Sequence, residues 1–93
     1  MAVGFAWALV AGNGSMSSSQ NIASCKHAGT GSYMVTYKKP FTASPGVQAT
    51  PMGAGGITAS LNIMAMNMCE VFTWDTNGRA VDAAFSFLAV GDA

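Results

Sequence analysis

Ninety-three residues carrying four basic and four acidic side chains, for a formal net charge of zero, make one domain (residues 1–93), since a chain of about this length buries only roughly 60–65% of the surface its unfolded form exposes. Charge this sparse and balanced excludes a binder driven by phosphate neutralisation, and no apolar run reaches the roughly 20 residues that span a bilayer. The hydrophobic fraction of 51% leans on Ala and Met more than on large aliphatics, so burial shared with further copies of the chain or with a larger assembly is expected.

Residues 3–11 open the chain as an apolar strand, with Phe5, Trp7 and Leu9 to one side and Ala6, Ala8 and Val10 to the other. Such a strand is expected to be buried on both faces. No Lys or Arg precedes it and Trp7 stands in its middle, which argues against a signal-peptide core. Asn13-Gly14 breaks the run, and the small polar residues 15–19 suit a loop or an exposed edge strand. Residues 22–28 read as a strand, and Gly29-Thr30-Gly31 turns the chain into another at 32–38, where Tyr33, Val35 and Tyr37 share a face.

Pro40, Pro45 and Pro51 confine the next pairing segment to residues 47–50, because proline cannot donate to a strand ladder. Gly53-Ala54-Gly55-Gly56 is a flexible tip, followed by the longest alternation in the chain, from Ile57 to Met66. Residues 69–75 form a further strand with Glu70, Phe72 and Trp74 on one face, and Asn77-Gly78 predicts a type I′ hairpin turn. Residues 84–90 close the domain as a second strand apolar on both sides. The expected fold is all-β, a small antiparallel β-sandwich or jelly-roll-like barrel of about six to eight short strands.

The order of these signals resembles a C-terminal knob-like β domain of phage tail fibres and related virion appendages. The resemblance rests on the Trp-bearing opening strand, on Asn-Ile-Ala-Ser at 21–24 and on Gly-Thr-Gly-Ser-Tyr-Met-Val-Thr-Tyr at 29–37. It continues through Pro40-Phe41, Val-Gln-Ala-Thr-Pro at 47–51 and Asp-Ala-Ala-Phe-Ser-Phe-Leu-Ala-Val-Gly at 82–91. It implies a homotrimeric, non-catalytic virion structural protein, made in the host cytoplasm, that mediates attachment to a host cell surface glycan or protein. A trimer would explain strands apolar on two sides, one face buried within each subunit and the other between subunits. Two other readings stand beside it: a capsid decoration or head-fibre protein bound to the major capsid protein, and a cell-encoded small adhesin or lectin, which would need export. The expected subunit interface is Phe5, Trp7, Leu9, Phe85, Phe87 and Leu88.

Chemistry-bearing residues are few. His27 stands near Cys25 and shares its strand face, but a metal site needs three or four ligands, so a hydrogen-bonded or solvent-facing His27 is expected, with no metal and no cofactor. Cys25 and Cys69 pair only if their strands adjoin, and two buried free thiols are expected. The acids Glu70, Asp75, Asp82 and Asp92 show no pairing, and the Ser-rich segments lack an associated base, so no catalytic set is expected. Met64, Met66 and Met68 are read as a row at strand spacing facing a core or subunit interface. An aromatic beside polar turn residues can grip sugars and can equally be packing. Met52, Gly53, Ala54, Gly55, Trp74, Asp75, Asn77 and Arg79 are therefore the candidate receptor-contact residues.

Overall fold

The structure, a computed structural model, describes residues 3–52 and 56–93, with the backbone alone at Ile63 and Met64. Eight strands are present among them: β1 (Val3–Val10), β2 (Met16–Gln20), β3 (Ile22–Gly29), β4 (Ser32–Tyr37), β5 (Gly46–Pro51), β6 (Thr58–Ala65), β7 (Met68–Trp74) and β8 (Phe85–Asp92). They form two four-stranded antiparallel sheets, sheet A in the order β2-β1-β8-β5 and sheet B in the order β3-β4-β7-β6. The expected all-β architecture is thus present, in the two-layer form of a small β-sandwich. The exposed edge strand anticipated near residues 15–19 is β2, whose four residues Ser17 to Gln20 are solvent-exposed.

The alternation of each strand sets what meets in the middle. Sheet A turns Ala6, Ala8 and Val10 of β1 and Phe85, Phe87 and Ala89 of β8 inward; sheet B opposes them with Tyr33, Val35 and Tyr37 of β4 and Cys69 and Val71 of β7. The abundance of alanine has its physical reason here. Ala6, Ala8 and Ala89 present little bulk, and they share one core cluster with the rings of Tyr33, Tyr37, Phe85 and Phe87. Tyr33 meets Phe85 edge-on at 5.0 Å, and Tyr37 meets Phe41 edge-on at 5.1 Å and Phe87 at 6.2 Å. Buried aromatic area substitutes for the missing Leu and Ile.

A single residue carries the chain from one layer to the other between β2 and β3. Asn21 takes a positive φ of 59°, a conformation that asparagine tolerates better than most residues. Its side-chain amide donates to Phe5 O and Lys39 O, each at 3.3 Å, its Oδ1 accepts from Lys39 N at 2.9 Å, and its carbonyl accepts from Lys38 N at 3.0 Å. The corner therefore ties β1, the β4–β5 connection and its own ribbon together.

Several expectations are corrected. Asn77 does not adopt positive φ; only Gly78 does, at 76°, with Gly78 N bonded to Asp75 O and Asp75 N to Arg79 O. This is a type I turn closed by a left-handed glycine, where type I′ would need both central residues left-handed. Residues 11–15 repeat the pattern, Gly14 N bonding Ala11 O and Ala11 N bonding Ser15 O. Met64, Met66 and Met68 do not form a row, because β6 ends at Ala65 and Met66 lies in the turn before β7; the Met64 side chain lies outside the described residues. β1 is not buried on both sides within one chain: Phe5 is 54% and Leu9 36% exposed. Phe85 and Phe87, expected at a subunit interface, instead fill the chain's own core at 0% and 2% exposure, because their parity on β8 is that of Ala89 and opposite to that of Leu88.

Candidate functional site

Strand direction sorts the connections to two ends of the sandwich. Val10, Gly29, Pro51, Trp74 and Phe85 stand at strand termini of one end, so residues 11–15, 30–31, Met52, Gly56, Ile57 and 75–84 belong to it. The other end holds Asn21, residues 38–45, the Met66-Asn67 turn, the start of β1 and the finish of β8, where Val3 pairs with Asp92. Phe41 plugs that second end, 4% exposed, with its amide bonded to Met66 O and Thr42 N bonded to Asp92 O.

Among the candidate receptor-contact residues, Met52, Trp74, Asp75, Asn77 and Arg79 are described and stand at the first end. Met52 is 42% exposed, and its amide donates to Ala84 O at 2.9 Å, which joins its loop to the β7–β8 connection. Gly53, Ala54 and Gly55 lie outside the described residues. A Cβ added at Gly56 would stand 2.7 Å from the Thr76 methyl, so the two loops touch there. Asp75 organises its own turn, Oδ1 accepting from Asn77 N at 2.8 Å and from Arg79 N at 3.0 Å. An Asx turn of this kind fixes the backbone while leaving Asn77 and Arg79 exposed. Trp74 is half-buried on the outer face of sheet B, where its indole N–H donates to Ser60 Oγ at 2.8 Å and its ring lies 6.1 Å from Phe72. Trp74 is thus tied into packing with Phe72 and Ser60 just before the exposed turn.

A second cluster at the same end joins residues far apart in sequence. Asp82 Oδ1 accepts from Gly31 N at 2.7 Å and from His27 Nε2 at 2.8 Å. The Gly31 amide foremost, and then the His27 contact, hold the Asp82 carboxyl below the usual carboxylate range. The His27 ring stacks on Tyr33 at 5.1 Å, and the Tyr33 hydroxyl donates to Gly12 O at 2.6 Å and accepts from Ala83 N at 3.3 Å. Thr73, fully buried, donates its hydroxyl to Val81 O. Gly31 is required at this crossing, since its φ is 65° and a Cβ would come within 2.6 Å of Thr73 O.

The whole group clasps the β7–β8 connection, which must cross from sheet B to sheet A, onto the β3–β4 and β1–β2 turns. Sequence reasoning left Asp82 without a role, because its partners are 51 and 55 residues away. The available signal was the inward parity of His27, shared with Cys25, which calls for a polar partner. Among the described residues, no three His, Cys, Asp or Glu side chains come together as metal ligands would.

A third feature is the outer face of sheet A. Phe5, Val90 and Gly46 lie in one cross-strand row, and Trp7, Leu88 and Gln48 in the next, with Gln20 beyond Trp7. Val3, Phe5, Leu9 and Leu88 are 61%, 54%, 36% and 40% exposed. A shallow groove of about 300 Å³ runs along Gly46, Val47, Gln48, Leu88 and Val90. Its floor is open because Gly46 has no side chain beside Val90.

No protein-family model matches the chain, and neither a curated protein sequence nor a solved structure is significantly similar to it.

Proposed function

We propose that the chain is a non-catalytic virion structural domain, a homotrimeric knob of a phage tail fibre or kindred appendage that attaches to a host cell surface. The observation that carries this reading is the polarity of the sandwich: the loops bearing Met52, Asp75, Asn77 and Arg79 stand at the end opposite the paired Val3 and Asp92. A domain mounted on a carrier through its chain ends would present those loops outward. The Asp75 turn and the Asp82 clasp hold the backbone of this end through side-chain hydrogen bonds, and a rigid loop loses less entropy on binding. Three copies would add weak contacts into useful avidity.

The apolar outer face of sheet A also suits the second reading, a decoration protein seated on a capsid shell, because it supplies a surface to be covered. Fluorescently labelled chain, offered to intact bacterial cells of differing surface polysaccharides and to isolated capsids, separates the two. Attachment gives cell binding that falls about tenfold or more in Trp74→Ala and Arg79→Ala. Binding to capsids alone assigns the decoration role, and cell binding unchanged in both variants removes these loops from the contact.

A further inference from the structure

We infer that the outer face of sheet A is covered by another copy of this chain, with Phe5 of one copy seated in the groove over Gly46 of the next. The inference deepens the oligomeric part of the proposed function and rests on it only for the existence of self-association. Its first ground is shape. The exposed Phe5 and the gap over Gly46 lie in the same row, separated by Val90 alone, so each copy carries both a knob and a hole that can receive it. Knob and hole stand toward opposite sides of the sheet, Phe5 on β1 and Gly46 on the edge strand β5. Contact between copies therefore satisfies both at once.

Electrostatics supply the second ground. Among the described residues, the charged side chains in strands other than β8 are Lys26 and Glu70, and both belong to sheet B. Asp92 alone carries charge in register with the sheet A face, at its extreme end beside Val3. A face without charge meets its own copy without like-charge repulsion, and one without Lys or Arg has nothing to draw it to an anionic membrane. The third ground is size. Four strands about 4.8 Å apart, two of eight residues and the edge strands of five and six, give a face of roughly 430 Å² in projection, and side-chain relief raises its accessible area toward the ~800 Å² per partner of a standard interface.

Gly46 makes the inference testable without disturbing the fold. A Cβ there meets nothing closer than Val90 O at 3.7 Å, an ordinary contact, and a β-branched residue suits a strand. Gly46→Val thus fills the groove while leaving the sandwich intact. Light scattering and sedimentation of the 9.5 kDa chain across about 10–200 µM are expected to give a whole-number multiple of the chain mass. The association midpoint is expected to rise about tenfold or more in Gly46→Val and in Phe5→Ser, with far-UV circular dichroism unchanged. Ser24→Val, on the outer face of sheet B, is the control and leaves the midpoint where it was. A folded monomer at the highest concentration overturns the inference, as does an assembly indifferent to Gly46→Val and Phe5→Ser. Absence of cell binding by an assembly that does respond to them overturns the attachment reading alone.

Discussion

Cys25 and Cys69 flank Val35 in one row of sheet B, with β4 running between their strands. Two strands apart is roughly 10 Å, beyond the ~7 Å between Cα atoms that a disulfide tolerates. Both thiols are free, and burial pushes each up to about 11. Oxidation of the folded chain is expected to form no internal bridge, and its melting temperature should be the same with and without reductant. Thiol titration with an aromatic disulfide at pH 8 should be slow in the folded state and complete, at two thiols, in denaturant. A fast two-thiol burst from native protein would contradict this placement.

Asp82 makes the stability of the clasp depend on acid. Its folded carboxyl titrates below its ordinary value, so its contribution is present above the unfolded pKa of about 3.9 and is lost as the pH falls through the lower folded value. Urea unfolding from pH 7 to pH 2.5 should show a loss of stability across that window. Asp82→Asn should be less stable at pH 7 and should flatten the same window. Equal slopes in the two proteins would show that the carboxylate is not the group being titrated.

The two core tyrosines should respond oppositely to loss of their hydroxyls. Tyr33 donates to Gly12 O and accepts from Ala83 N, so Tyr33→Phe leaves two backbone groups short and should cost about 1–2 kcal/mol. Tyr37 buries its hydroxyl with no partner among the described residues, and burial drives its pKa upward. Tyr37→Phe removes an unsatisfied polar atom at constant shape and should be neutral or stabilising by up to about 1 kcal/mol. Equilibrium denaturation of the two variants tests the contrast. Destabilisation of Tyr37→Phe by as much as Tyr33→Phe would reveal a partner for that hydroxyl.

At the Asn21 corner, backbone and side chain can be separated. Asn21→Gly keeps the left-handed backbone and loses the amide bonds, whereas Asn21→Ala loses both. The alanine variant should be the less stable of the two by about 1–2 kcal/mol, the cost of a left-handed residue bearing a Cβ. Chemical denaturation of the pair reads this difference directly, and equal stabilities would mean that the corner relaxes out of the left-handed region.

Strand positions were legible wherever period-two alternation met a turn signal, as in Tyr33, Val35 and Tyr37 and in Glu70, Phe72 and Trp74. Parity alone could not say which side of an all-apolar strand turns inward. That ambiguity misassigned Phe85 and Phe87, whose orientation is settled by pairing with Val10 and Ala8 of β1. Local turn chemistry likewise marked both Asn-Gly turns but not their handedness, which depends on Asp75 and Asn13 accepting hydrogen bonds from the following residues. The candidate loops proved neighbours because four connections emerge at one end, a fact of topology. The clasp was invisible for the same reason: Gly31, His27 and Asp82 acquire meaning only once sheets A and B are stacked.

β8 lies at the centre of sheet A, hydrogen-bonded to β1 on one side and to β5 on the other. β1 thus has its principal partner in β8, the farthest strand from it in the sequence of the domain. Until residues 85–92 leave the ribosome, β1 has only β2 beside it, and a lone hairpin is marginal in water. Folding of the domain must wait for β8 and then close its longest loop, which predicts slow kinetics for so small a domain. During that wait the row of Phe5, Trp7 and Leu9 is the segment most in need of a chaperone.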